Sequence, residues 1–91
     1  MSKNDKTFIA YKHEVGQRLR DLLDRAGLTV ADVAREIPGW GYSRLSNYVN
    51  GINLPGPNDL RKITTVCGAA GCEQWVYYGE TRSRKPPARK S

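Results

Sequence analysis

The stretch Thr29–Gly51, TVADVAREIPGWGYSRLSNYVNG, decides how this chain is read. Thr29 can cap a helix with its hydroxyl, and Asp32 sits at the third helical position to answer it. Val30, Val33, Ala34 and Ile37 then form one apolar stripe at helical spacing. Pro38-Gly39-Trp40-Gly41 cannot extend that helix, because proline disfavours helical geometry in the residue before it and two glycines permit a tight reversal. A second helix begins near Tyr42. It buries Leu45, Tyr48 and Val49, leaves Ser43, Arg44, Ser46 and Asn47 on its other faces, and ends at Asn50-Gly51.

The flanks repeat the helical period. Upstream, Tyr11, Val15, Leu19, Leu22, Leu23 and Ala26 line one helix face, and Gly27 stops it. Downstream, Asn53–Pro57 is a loop, and Pro57 is suited to the first position of a further helix whose first turn carries Asp59. Leu60, Ile63, Val66 and Cys67 face inward there. Gly68 and Gly71 punctuate the chain, and Cys72–Tyr78 makes a short last helix presenting Trp75, Val76 and Tyr78, closed by Gly79. No strand of period two competes, and there is no internal repeat. The pattern predicts an all-α fold, a compact bundle of about five short helices over residues 11–79, with a flexible basic arm over 1–10 and a disordered basic tail over 80–91.

Ninety-one residues, 38% of them hydrophobic and 26% charged, suit one small domain. Apolar runs such as Leu28–Ala31 are far below the roughly 18 residues needed to cross a bilayer, so the expectation is a soluble cytoplasmic protein. Cys67 and Cys72 make no C-x-x-C motif and have only His13 for company; they read as small core side chains, and neither a metal nor another cofactor is expected. No Ser/His/Asp, Cys/His or paired-carboxylate arrangement is evident, which argues against an enzyme.

The net charge of +6 is concentrated at the two ends. Residues 13–79 carry seven Arg/Lys and seven Asp/Glu, whereas Arg82, Arg84, Lys85, Arg89 and Lys90 face only Glu80 in the last twelve residues. Charge alone therefore adds salt-sensitive attraction to phosphates but supplies no specific reader. The candidate reader is the second helix of the opening stretch, although its polar face taken alone is equally that of solvated residues on a surface helix. Two helices across a Gly-containing turn suit entry into a DNA major groove, where Ser43, Arg44 and Asn47 offer donors and acceptors without bulk; arginine matches guanine and asparagine matches adenine.

Over roughly residues 14–79 the order and spacing of these features resemble the helix-turn-helix domain of the phage repressor and Cro family, the XRE-like regulators. The resemblance rests on Val15-Gly16, Arg18-Leu19-Arg20, Ala26-Gly27-Leu28-Thr29, Ala31, Val33, Ala34, Leu45-Ser46, Asn50-Gly51, Pro55, Leu60, Ile63, Trp75 and Tyr78-Gly79. Asn50–Asn53 looks like the end of the recognition helix in lambda-type repressors. The resemblance implies base contacts from Tyr42, Ser43 and Asn47, with Arg44 reaching a base or a phosphate. It implies phosphate contacts from Thr29, Asn50 and Asn53, with Trp40 either facing phosphate or covering the core. There are departures. Val30 stands where the family commonly has Gln, the Ile37–Leu45 connection is one residue longer, and Leu23 and Val49 replace a common Arg/Glu pair. Both members being apolar, Leu23 and Val49 are expected to touch.

The function implied is a sequence-specific transcriptional regulator, a repressor of phage, prophage or bacterial origin, binding double-stranded DNA as a homodimer on a palindromic operator. A second reading is an antitoxin or phage regulatory protein whose main partner is another protein.

Overall fold

The computed structural model describes residues 3–79 and Pro86, with side chains from Thr7 onward. Five helices follow one another: α1 (Lys3–Ala26), α2 (Val30–Glu36), α3 (Tyr42–Val49), α4 (Pro57–Val66) and α5 (Glu73–Tyr78). Among the described residues there is no strand, and the fold is all-α. α1 is the spine, packing on α3 and α5, while α2 packs on α3 and α4, and α4 on α5.

Each helix contributes from its apolar stripe to one core. Val15, Leu19 and Leu22 of α1, Val33 of α2, Leu45 of α3, Leu60 and Ile63 of α4, and Val76 of α5 are all essentially inaccessible. Removing each such side chain from water contributes about 1.5–3 kcal/mol, and this burial, more than helix propensity, holds helices of six to ten residues. Cys67 and Cys72 are buried in the same core and form no disulfide. Burial pushes the Cys67 thiol up to about 11.

Local chemistry sets the helix ends. At α2 the Thr29 hydroxyl accepts from the Asp32 N–H (3.1 Å) while the Asp32 carboxylate accepts from the Thr29 N–H (3.0 Å), the reciprocal cap expected from the sequence. Pro57 opens α4 at its first position. At the end of α3, Gly51 takes φ +75°, letting the Ile52 N–H reach the Asn47 carbonyl (2.9 Å) and the Gly51 N–H the Tyr48 carbonyl (3.2 Å). These two bonds satisfy carbonyls that the helix end would leave orphaned, and a side chain at Gly51 would strain the left-handed backbone.

Three features differ from the sequence pattern. α1 runs back to Lys3, through most of the arm expected over 1–10; the segment lacks Gly and Pro, Thr7–Ala10 are exposed, and Lys12 sits 5.0 Å from the Phe8 ring centroid. α1 is accordingly long, at 24 residues, where short helices were expected. In α5 the inward tyrosine is Tyr77, whose hydroxyl donates to the Pro55 carbonyl (2.8 Å), whereas Tyr78 is 67% exposed. The tail expected over 80–91 lies outside the described residues, Pro86 excepted.

Leu23 and Val49 are both buried and line one small cleft of about 230 Å³ together with Leu28 and Val30. Apolar groups thus stand at both positions, and no charge is stranded there.

Candidate nucleic-acid interface

α3 is held against the bundle on one side and open on the other. Leu45, Tyr48 and Val49 are its buried face. Its contact with α1 is unusually close: a Cβ built on Gly16 would lie 2.7 Å from the Val49 carbonyl oxygen and 3.0 Å from both the Gly51 nitrogen and the Tyr48 oxygen. Only glycine permits this approach, and through it the backbone of α1 directly supports the end of α3.

The open face carries the expected base-reading residues. Tyr42 is 58% exposed and Ser43 is exposed, while Asn47 one turn on is half-buried. Gly41, which precedes α3, gives no side-chain cap, and the first turn of α3 has no acidic residue. The α3 N-terminus is therefore the positive end of a helix with no carboxylate of its own to offset it.

Arg44 is in a different situation. Its guanidinium lies 4.7 Å over the Trp40 ring, and its Nη2 donates to Asp59 Oδ2 at 2.9 Å. The Tyr48 hydroxyl donates to the same carboxylate oxygen, and Trp40 packs edge-on against Tyr48 with centroids 6.0 Å apart. Burial pushes the Asp59 carboxyl up, but the hydrogen bonds from Tyr48 and Arg44 and the charges of Arg44 and Lys62 outweigh it, leaving it below the ordinary carboxylate value. Trp40, within the longer turn, is half-buried: it covers Tyr48 on one side and carries Arg44 on another.

The residues expected at phosphates divide. Thr29 is engaged in the α2 cap, with the Asp32 carboxylate beside it and Arg35 bound to that carboxylate at 2.6 Å. Asn50 and Asn53 are exposed at the end of α3. Asn50 is oriented: its Oδ1 accepts from Arg20 Nη2 (2.8 Å), and its Nδ2 donates to Ser46 Oγ (3.1 Å). Lys12 donates to the Ile52 carbonyl at 3.2 Å.

Sequence reasoning missed Asp59, Arg20 and Lys12 at this face. Each reaches α3 or its trailing loop from another helix, 15, 30 and 40 residues away respectively, and a pattern read within one helix holds no signal of such pairings. Arg20 and Lys12 are exposed and half-buried cations flanking the Asn50–Asn53 loop, the kind of group that meets a phosphate backbone. Among the described residues no cluster suited to a metal ion occurs, and no helix is long and apolar enough to cross a membrane.

No curated protein and no solved structure matches the chain. A family model does: the helix-turn-helix domain, over residues 14–75, in agreement with the likeness to XRE-like regulators. The match covers more than half of the chain, which therefore belongs to the helix-turn-helix domain family, a class of DNA-binding regulators.

Proposed function

We propose that the protein is a sequence-specific transcriptional regulator that inserts α3 and its cap, residues 42–50, into the DNA major groove. The observation that carries this reading is the open polar face of α3 on a helix whose opposite face is locked into the core. Tyr42, Ser43 and Asn47 meet base edges, with Asn47 matched to adenine and Arg44 to guanine. Asn50 and Asn53 meet the phosphates, with Arg20 and Lys12 beside them. Trp40 serves chiefly as a cover for Tyr48 and a platform for Arg44. Thr29, already engaged with Asp32, contributes least.

Regulation on this reading is by occupancy: the protein represses by sitting on its operator, and catalysis is not needed. One helix of eight residues reads too few base pairs for genomic specificity, so two copies are expected on a palindrome with half-sites about 34 Å apart. The origin that fits such a small operator-binding domain is a phage, a prophage or a bacterial chromosome, with the protein working in the cytoplasm.

The test is selection of bound sequences from random duplex DNA at near-physiological salt. The expected result is a short palindromic consensus. A pool that stays random through successive rounds, while the protein is folded, overturns the proposal and favours a regulator that works through another protein.

A further inference from the structure

We propose that Asp59, on α4 and outside the reading helix, is a specificity-determining positioning residue: it holds the Arg44 guanidinium for a base edge and withholds it from phosphates. The inference rests on the major-groove reading above and adds a residue to it. Arginine on an exposed helix start is a long, mobile cation, and near DNA the commonest negative charge is phosphate, which carries no sequence information. Arg44 is not mobile in this way. Its guanidinium is fixed from below by the Trp40 ring at 4.7 Å and from the side by Asp59 Oδ2 at 2.9 Å.

The carboxylate that holds it is itself fixed. The Asp59 side chain is only 16% exposed, it accepts from the Tyr48 hydroxyl, and it sits in the first turn of α4, where a helix N-terminus favours a negative charge. The Arg44 side chain is 48% exposed, so the pair is worth little to stability as a surface ion pair, and its consequence lies in geometry and charge. One N–H of the guanidinium is spent on Asp59, and the remaining donors keep a defined direction. The pair is also neutral overall, which lowers the attraction of this spot for any phosphate. A base edge with two acceptors, as guanine presents, can still take the fork.

The test compares the full-length protein with D59N and D59E, measuring affinity for the selected duplex and for a scrambled duplex across a salt series. D59N keeps shape and removes charge. It should bind the scrambled duplex several-fold more tightly, steepen the slope of log K against log[salt] by about 0.9 as Arg44 gains a phosphate, and lower the ratio of specific to non-specific affinity roughly tenfold. D59E keeps the charge but moves it, and should lower the ratio while leaving the slope unchanged. In an R44A background neither substitution should alter the ratio. Wild-type slope and ratio in D59N, or the same loss of ratio with and without Arg44, overturn the inference while leaving the selected consensus standing. Failure of the wild-type chain to select any consensus removes the major-groove reading and this inference together.

Discussion

The contact between α1 and α3 yields the sharpest stability prediction, because two known effects oppose each other at Gly16. Replacing a helix-interior glycine by alanine ordinarily stabilises by about 1 kcal/mol through propensity. Here the new methyl carbon would meet the Val49 oxygen at 2.7 Å, the Gly51 nitrogen at 3.0 Å and the Tyr48 oxygen at 3.0 Å. Ordinary carbon–oxygen contacts need about 3.3–3.6 Å, so α1 and the end of α3 must part by at least half an ångström or so. All three atoms are backbone and cannot rotate away. Overpacking of this kind costs about 1–3 kcal/mol, and the rigidity of the obstacle argues for the upper end, leaving a net loss of about 2 kcal/mol. For a domain of this size that lowers Tm by roughly 8–16 °C. The assay is thermal and urea unfolding of Gly16→Ala beside Gln17→Ala, an exposed neighbour expected to stay within about 0.5 kcal/mol of wild type. A Gly16→Ala variant as stable as wild type, or more so, would show that α1 and α3 do not approach as described.

Three further outcomes follow from side-chain partners. Tyr77→Phe removes the hydroxyl that satisfies the Pro55 carbonyl and should cost about 0.5–1.5 kcal/mol, read by urea unfolding; no loss would place the hydroxyl in water. Asp32, Asp59 and Glu73 all have folded pKa values below their ordinary ones. The Thr29 N–H and hydroxyl lower Asp32, whereas at Asp59 and Glu73 opposing burial is outweighed, by Tyr48 and Arg44 and by Thr64 and backbone N–H groups respectively. Depressed carboxylates contribute stability that is fully present above their unfolded values of 3.8 for Asp and 4.5 for Glu and is lost as pH falls through the folded ones. Urea unfolding should therefore give a constant stability between pH 5 and 7 from these groups and a falling one below about pH 4.5; a rise on acidification would reverse the sign. Cys67 and Cys72, buried, with the Cys67 thiol pushed up to about 11, should react with a thiol reagent more than about 100-fold slower in the native protein than in denaturant, since opening must supply several kcal/mol. Equal rates would mean that the core opens locally.

What could be read from the sequence was what is encoded within a few residues. The Thr29/Asp32 cap, the Pro38–Gly41 turn, the Leu45/Tyr48/Val49 stripe and Pro57 at a helix start depend on neighbours no more than four or so positions away, and each occurs as read. The start of α1 was not legible, because Phe8 and Ile9 extend the helix while remaining about half exposed, and a stripe that buries nothing leaves no period to detect. Choosing between Tyr77 and Tyr78 turned on a rotation of about 100° within a six-residue helix, and it was decided by the distant Pro55 carbonyl. Thr64 is fully buried among apolar residues because its hydroxyl meets Glu73 at 2.6 Å across the α4–α5 turn. At the candidate site the same division holds: the exposed residues Tyr42 and Ser43 could be named from α3 alone, whereas the clamp on Arg44 depends on Asp59, a side chain that reaches α3 from the start of α4.

If the outward face of α3 reads bases, the affinity ratio between the selected duplex and a scrambled one must fall for a chain carrying Y42A, S43A and N47A together. All three side chains are exposed or half-buried, so the fold should survive, which circular dichroism verifies. The expected result is a loss of about 3 kcal/mol or more on the selected duplex, at 1–3 kcal/mol per lost base contact, with affinity for the scrambled duplex unchanged. An unchanged ratio, or an equal loss on both duplexes, would mean that this face of α3 does not read bases.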